Sequence, residues 1–371
     1  MKNTIKITAI LLLFALFISG CNNANSSSTS SPEVTATPLQ TEKPVKAKIA
    51  LVLSIGGRGN SSYNDVVYEG AQRAAINLNV KVDTFEPTKV EDYSTIIEQL
   101  SKDGTYDLII AASPDAETAV RKYAKLYPDQ KFTIIDASIG NLANVKSVTK
   151  SYCEMTFLAG LLAGYITKND VFATNAINTT ADTGKDTIGI VIGTDTILTR
   201  QALAGFTAGV KLANSKATVK AVYVGSWVDK LKSQELANTL YKSGVDIIMC
   251  FAGEASTGVI EAAAQNNKYV IGVSDNQNSI APNNVIASCT EATDIRVYSE
   301  IEQIVGDFWV SGINSGGLKE GATDLTYDNS KVAIPKDIKE QVMEYKRQVV
   351  NDYFNIPSDS SKIDLWLSTL Q

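Results

Sequence analysis

Histidine is absent from all 371 residues. That removes Ser-His-Asp and Cys-His nucleophile chemistry, and every histidine-held zinc site with it. Hydrolysis run by carboxylates alone survives as an option. Cysteine is scarce: besides Cys21 there are Cys153, Cys250 and Cys289. An odd number at irregular spacing forms neither a disulfide framework nor a metal-ligand pattern. Cys250 and Cys289 end apolar runs, where a thiol serves as a small buried hydrophobe. Basic charge is not in excess, since 34 Lys and Arg stand against 40 Asp and Glu for a net −6. A nucleic-acid partner selects the opposite sign. Short-period repeats are missing too, which argues against a solenoid. No metal or cofactor signature is present.

The apolar run at 9–18 is about half the ~20 residues that span a bilayer. It follows a basic start and precedes Ser19-Gly20-Cys21, which together read as a secretory signal over residues 1–20. Ile18-Ser19-Gly20-Cys21 resembles the bacterial lipobox, in which the thiol is alkylated by diacylglycerol before cleavage. Cys21 is therefore the expected lipidation site and first mature residue. The Ser/Thr/Asn/Pro-rich stretch behind it buries no apolar surface and stays extended, so residues 21–46 read as a tether. The protein is expected on the extracytoplasmic face of the cell membrane, held by this lipid. The chain beyond the tether is too long for one small core and typical of two lobes.

From residue 48 onward, short Val/Ile/Leu runs alternate with helical spacing. Strands are expected over 48–55, 80–85, 106–111 and 131–136, with helices over 65–78, 93–101 and 116–127. A Gly/Ala-rich helix over 157–166 and a polar loop over 168–186 interrupt the pattern. It then restarts with strands over 187–192, 219–224, 245–250, 269–273 and 285–289, and helices over 199–213, 232–243 and 256–266. A helix over 295–313 and a less regular tail ending in a helix over 336–354 complete the reading. Continuous apolar strands alternating with helices signal parallel sheets covered on both faces. The fold class is α/β, two doubly wound Rossmann-like lobes joined by a hinge. Facing strand ends of two such lobes form a cleft that closes on a small molecule.

The glycines after the first strand do not make a dinucleotide fingerprint, because Gly57-x-Gly59 is followed by Ser62 where a third glycine is required. Gly184-Lys185 precedes Asp186 rather than Ser or Thr, so no P-loop is present either. The same stretch, Gly56-Gly57-Arg58-Gly59-Asn60-Ser61-Ser62-Tyr63-Asn64 with Glu69-Gly70 behind it, resembles the signature of the BMP family. These basic membrane lipoproteins are substrate-binding components of ABC transporters. The likeness continues in order through Tyr127-Pro128-Asp129, Phe132 and Ile134-Ile135-Asp136, then Phe157-Leu158-Ala159-Gly160 and Gly205-Phe206. It runs on through Tyr223-Val224-Gly225-Ser226-Trp227 and Tyr269-Val270-Ile271-Gly272-Val273.

The resemblance implies a type I periplasmic-binding-protein fold with three crossovers. One lobe would comprise 47–150 plus 290–315, the other 151–289 plus 316–371. It implies a purine-nucleoside class of ligand passed to an ABC permease, and the receptor is expected to be a monomer. By position, Tyr63 would stack on the base, Asn64 hydrogen-bond it, and Asp136 lie near it. Trp227 would supply the second aromatic, and Gly253 would let backbone approach the ligand. Core packing is the alternative for Tyr63 and Trp227. Two departures stand out. Ser274 occupies the place of an aspartate that typically holds sugar hydroxyls, and Glu291 that of a lysine doing the same. Either Glu291 holds a diol, since a carboxylate accepts from two hydroxyls, or Asp275 takes over by a one-residue shift, or Glu291 is solvated surface. Arg58 and Asn60 also replace an acidic pair, so a different nucleoside, a free base or a cationic ligand is compatible with the site. The expectation is capture without catalysis by an ABC importer's binding protein. A ligand-sensing lipoprotein reporting to a membrane receptor and a carboxylate hydrolase are its rivals.

Overall fold

Strands that are apolar along their whole length need cover on both faces, and helices supply it. The computed structural model describes residues 44–59, 63–169, 171 and 186–370. The signal segment, Cys21 and nearly all of the tether lie outside the described residues, as do residues 60–62 and most of the loop expected at 168–186. The first series runs β1 (Lys48–Val52), α1 (Tyr63–Leu78), β2 (Lys81–Phe85), α2 (Val90–Asp103), β3 (Leu108–Ala111), α3 (Glu117–Leu126), β4 (Phe132–Ile135) and β5 (Val145–Lys150). The second runs α4 (Tyr152–Lys168), β6 (Thr187–Ile192), α5 (Ile197–Ala213), β7 (Thr218–Tyr223), α6 (Lys230–Lys242), β8 (Ile247–Phe251), α7 (Ser256–Gln265), β9 (Tyr269–Ser274) and β10 (Val285–Glu291). Then come α8 (Thr293–Val305), β11 (Gly312–Gly316), β12 (Thr323–Thr326), α9 (Lys336–Val350) and α10 (Ile363–Thr369).

Among the described residues these strands form two six-stranded sheets, ordered β11-β5-β4-β3-β1-β2 and β12-β10-β9-β8-β6-β7. All pairs are parallel except β10 with β12. Apart from the edge strands β11 and β12, each sheet has the doubly wound order 2-1-3-4-5, whose direction reverses between β1 and β3 and between β6 and β8. Ligand crevices open at those switch points, beyond the carboxyl ends of the strands. The chain crosses between sheets after β5, after β10 and after β11. The crossings are tied together: Ser151 N donates to Gly316 O (2.8 Å) and Ala292 N to Ala322 O (3.1 Å). Arg296 adds bonds to the carbonyls of Thr149 (2.5 Å) and Asn314 (2.8 Å).

Two expectations fail. The helix expected over 295–313 ends at Val305. Asp307 turns into the left-handed region at φ 57°, and residues 312–316 pair with β5 as a strand instead. β5 itself was not expected. Its sequence VKSVTK alternates apolar with Lys and Ser, yet it is buried at five of six positions. Lys146 is neutralised inside the protein by Glu300 of α8 at 2.9 Å, an ion pair that no local pattern displays.

The Gly/Ala-rich segment is α4, buried along nearly its whole length. It packs on α5 backbone against backbone, since a Cβ at Gly160 would overlap the Phe206 carbonyl oxygen and one at Gly209 that of Phe157. Cys153, Cys250 and Cys289 are free and buried, and burial pushes the Cys250 thiol up to about 12. No described helix is long and apolar enough to cross a membrane. Because carbonyls in adjoining helices cannot yield as a side chain does, Gly209→Ala should cost ~1–3 kcal/mol of stability. Urea unfolding reads this as a lowered midpoint, and an unchanged midpoint would contradict the close helix contact.

Candidate functional site

The carboxyl ends of both sheets converge on one cavity of about 730 Å³ of atom-free space, its open mouth included. Loops after β1 and β3 contribute Ser54, Ile55, Ser113, Pro114 and Asp115, and the turn after β8 contributes Gly253 and Glu254. These are the switch-point loops of both lobes. At the mouth the lobes touch: a Cβ on Gly56 would lie 2.9 Å from Glu254 Cγ and 3.1 Å from Val228 Cγ1. Gly56 has φ +124°, so the loop needs glycine there for its backbone as well as for room.

Of the residues expected at the site, Tyr63, Asn64, Asp136, Trp227, Gly253, Ser274 and Glu291 all line the cavity. Asp275 does not. Its Oδ1 accepts from the adjacent Asn276 N (2.6 Å), which turns the chain out of β9. Asn64 is buried, and its amide is already spent on the first loop. Nδ2 donates to Ser54 O (2.8 Å) and Gly57 O (2.7 Å), while Oδ1 accepts from Ser54 N (2.9 Å). It has no donor to offer a base, so the expected base contact reduces to an Oδ1 lone pair and the residue's main work is shaping the loop. Trp227 rests on backbone: a Cβ on Gly193 would strike its indole, and one on Gly253 would sit 3.4 Å from it. Both glycines follow strand ends, so the ring packs close against their backbone and still lines the cavity.

The departures at 274 and 291 are resolved by a residue that no sequence motif marks. Lys150, the last residue of β5, donates to both carboxylate oxygens of Asp136 at 2.8 Å. Its ammonium also lies 2.7 Å from Glu291 Oε2. Ser274 Oγ donates to Glu291 Oε1 (3.1 Å), and Thr293 Oγ1 to Oε2 (3.2 Å). The Lys150 ammonium sits 5.4 Å from the Tyr63 ring centroid and 5.2 Å from that of Tyr152, within reach of cation–π attraction. All three charged groups are buried, so Glu291 is no solvated surface residue. Burial alone would depress the lysine, but the adjoining carboxylates outweigh it and raise its pKa above the ordinary value. Burial, reinforced by Asp136 and Glu291, pushes the phenols of Tyr63 and Tyr152 well up. Arg58 turns aside, bonded to Glu86 at 2.7 Å and stacked over Tyr68 at 4.1 Å.

Asp136 and Ser274 both hold left-handed backbone, at φ 65° and 77°. This is unusual for non-glycine residues and concentrates at functional sites. They sit at matching strand ends, after β4 in one lobe and at the end of β9 in the other. Among the described residues no group of His, Cys, Asp and Glu has the arrangement to hold a metal.

The model of one protein family, Bmp, described as "ABC transporter substrate-binding protein PnrA-like", matches residues 46–360. An uncharacterized lipoprotein of Pyrococcus furiosus is 29% identical over 332 residues, covering 86% of this chain and 76% of its own. The ABC transporter nucleoside-binding protein BmpA of Lactococcus lactis is 26% identical, covering 96% of this chain and 99% of that one. An ABC transporter solute-binding protein from Aeropyrum pernix superposes with a TM-score of 0.75 at 26% identity, over 88% of this chain and 97% of that one.

Lys150→Met would leave two buried carboxylates without their cation, so it should cost ~3–5 kcal/mol in urea unfolding at neutral pH. In the native protein Lys150, Tyr63 and Tyr152 all hold their protons more tightly folded than unfolded. Their contribution is therefore fully present below their ordinary pKa values of about 10 and lost as pH rises beyond them. Unfolding free energies measured from pH 8 to 11 should stay level and then fall; a rise above pH 10 would contradict the triad.

Proposed function

This chain belongs to the Bmp family of PnrA-like ABC-transporter substrate-binding proteins, and from that premise we propose that it is a lipid-anchored receptor capturing a nucleoside-like molecule, a purine nucleoside first among them, for an importer's permease. The observation that carries the ligand class is the lining of the cavity. Tyr63 and Trp227 come from opposite lobes, with Tyr152 and Phe251 beside them and polar strand-end groups between. Flat rings bury a planar heterocycle at low entropic cost, and fixed carboxylates accept from its N–H and O–H groups. The Lactococcus lactis relative, named a nucleoside-binding protein, supports the same class.

The work is capture, with no bond made or broken. An empty receptor opens about the three crossings; ligand contacts made to both lobes favour the closed arrangement, and the permease reads both lobes together. In this reading Glu291 and Ser274 hold hydroxyls of the ligand, Glu291 through the lone pairs that Lys150, Ser274 and Thr293 leave free. Gly253 brings backbone to the ligand beneath Trp227. The lipid on Cys21 keeps the receptor at the membrane that holds its permease, consistent with relatives named lipoproteins.

Calorimetry against a panel of nucleosides, bases and sugars tests the ligand class. Trp227→Ala should weaken binding of the best nucleoside by at least ~1 kcal/mol, about fivefold; unchanged affinity would remove the aromatic clamp. For the anchor, Cys21→Ser should shift the protein from the membrane fraction to the medium of the expressing cells. Retention at the membrane would sink the lipid assignment.

A further inference from the structure

Four carboxylates line the cavity among the described residues, those of Asp115, Asp136, Glu254 and Glu291, and no lysine or arginine does. Lys150, behind the wall, answers Asp136 and Glu291. The guanidinium of Arg58 is committed to Glu86 and Tyr68 outside the cavity. Asp115 differs from the others. It sits in the single turn Pro114–Ala116 after β3, where Ser113 Oγ accepts from its backbone N–H at 3.2 Å. Its carboxylate has no hydrogen bond or ion pair with any described residue. Burial with nothing to offset it pushes its carboxyl pKa up, the mark of an anion short of a partner.

We propose that Asp115 is a ligand-binding residue and that the cleft prefers a positively charged planar ligand, such as a nucleoside with a cationic base, over its neutral counterpart. This rests on the nucleoside reading of the cleft and narrows it. An unpaired carboxylate in a part-buried wall pays a desolvation cost that a ligand cation offsets. The aromatic walls work in the same direction. Tyr63 and Tyr152 already flank one ammonium, and Trp227 offers the strongest ring for another. An anionic ligand meets only like charge, so nucleoside phosphates are rejected by repulsion.

Two ligand pairs that differ by one methyl group and one charge provide the test. They are 1-methyladenosine against adenosine at pH 7, and 7-methylguanosine against guanosine at pH 6, each titrated calorimetrically into the full mature chain. The two methyl groups lie on different edges of the purine, so a clash at one edge does not decide the result. The expected result is tighter binding of the cationic member in at least one pair, with no binding of adenosine monophosphate. Asp115→Asn keeps the shape and removes the charge. Because that carboxylate bonds to nothing and carries a desolvation cost, the variant should melt no lower than the native protein, and the cation-to-neutral affinity ratio should fall about tenfold or more. If the neutral member binds as well or better in both pairs, or if Asp115→Asn leaves the ratio unchanged, the inference is overturned while the nucleoside reading stands. If no nucleoside binds but choline or agmatine does, with the same loss in Asp115→Asn, the nucleoside reading fails and charge selection survives. If neither class binds, both fall.

Discussion

Taking an ammonium out of water costs several kcal/mol, and the cost is recovered only where the surrounding charges and hydrogen bonds are complete. Lys150 meets that condition by drawing on both lobes at once. Asp136 belongs to its own sheet, at the end of the neighbouring strand, while Glu291 ends β10 of the other sheet. The two partners of the cross-lobe pair occupy matching places, since β5 and β10 are the fifth strands of their doubly wound series. Each is also the last residue before the chain changes lobe. An ion pair there acts on the crossings directly, so the relative position of the lobes and the charge state of the cleft floor are one problem with one solution.

The same near-symmetry extends one strand inward. Asp136 and Ser274, at the ends of β4 and β9, both adopt left-handed backbone, a conformation costing of order 1–3 kcal/mol outside glycine. The cost is held in place by the bonds their side chains make, to Lys150 in one lobe and Glu291 in the other. The cleft floor is thus a set of four strand-end residues, pre-arranged by the protein's own hydrogen bonds before any ligand arrives. Preorganisation of this kind leaves less freedom to be lost on binding.

How much of this was legible in the sequence depends on which interactions are local. β6 lies at 187–192 as expected because TIGIVI is apolar throughout, and most helices fall within a few residues of their expected bounds because their apolar spacing is local too. β5 escaped because its two lysines are balanced by Asp136 on the neighbouring strand and by Glu300 and Glu291, which are remote in sequence. The helix over-extended to 313 because apolar residues persist beyond Gly306, whereas the left-handed turn at Asp307 and the vacant edge of β5 decide the outcome. In the site, Tyr63 and Trp227 were readable through the family signature and their place after strand ends. Lys150, Tyr152 and Asp115 were not, for none stands in a motif and each acquires its meaning from a partner, or the lack of one, across the cleft. Asn64 shows the converse. It stands where a base contact is implied, but both of its donors are consumed by the loop it closes.

The changes at 274 and 291 then read as one rearrangement rather than two losses. Where the resemblance implies an aspartate and a lysine, this chain has a serine and a glutamate, both on strands of the second sheet although 290–291 were expected in the first lobe, and a lysine comes from the end of β5 in the first sheet. An acid–lysine pair is kept, but it is now directed inward: the ammonium is enclosed by two carboxylates and two tyrosine rings and does not line the cavity. Charge that the resemblance would direct at a ligand faces the protein here. The cavity wall is left with carboxylate oxygens and aromatic faces and no cation of its own among the described residues.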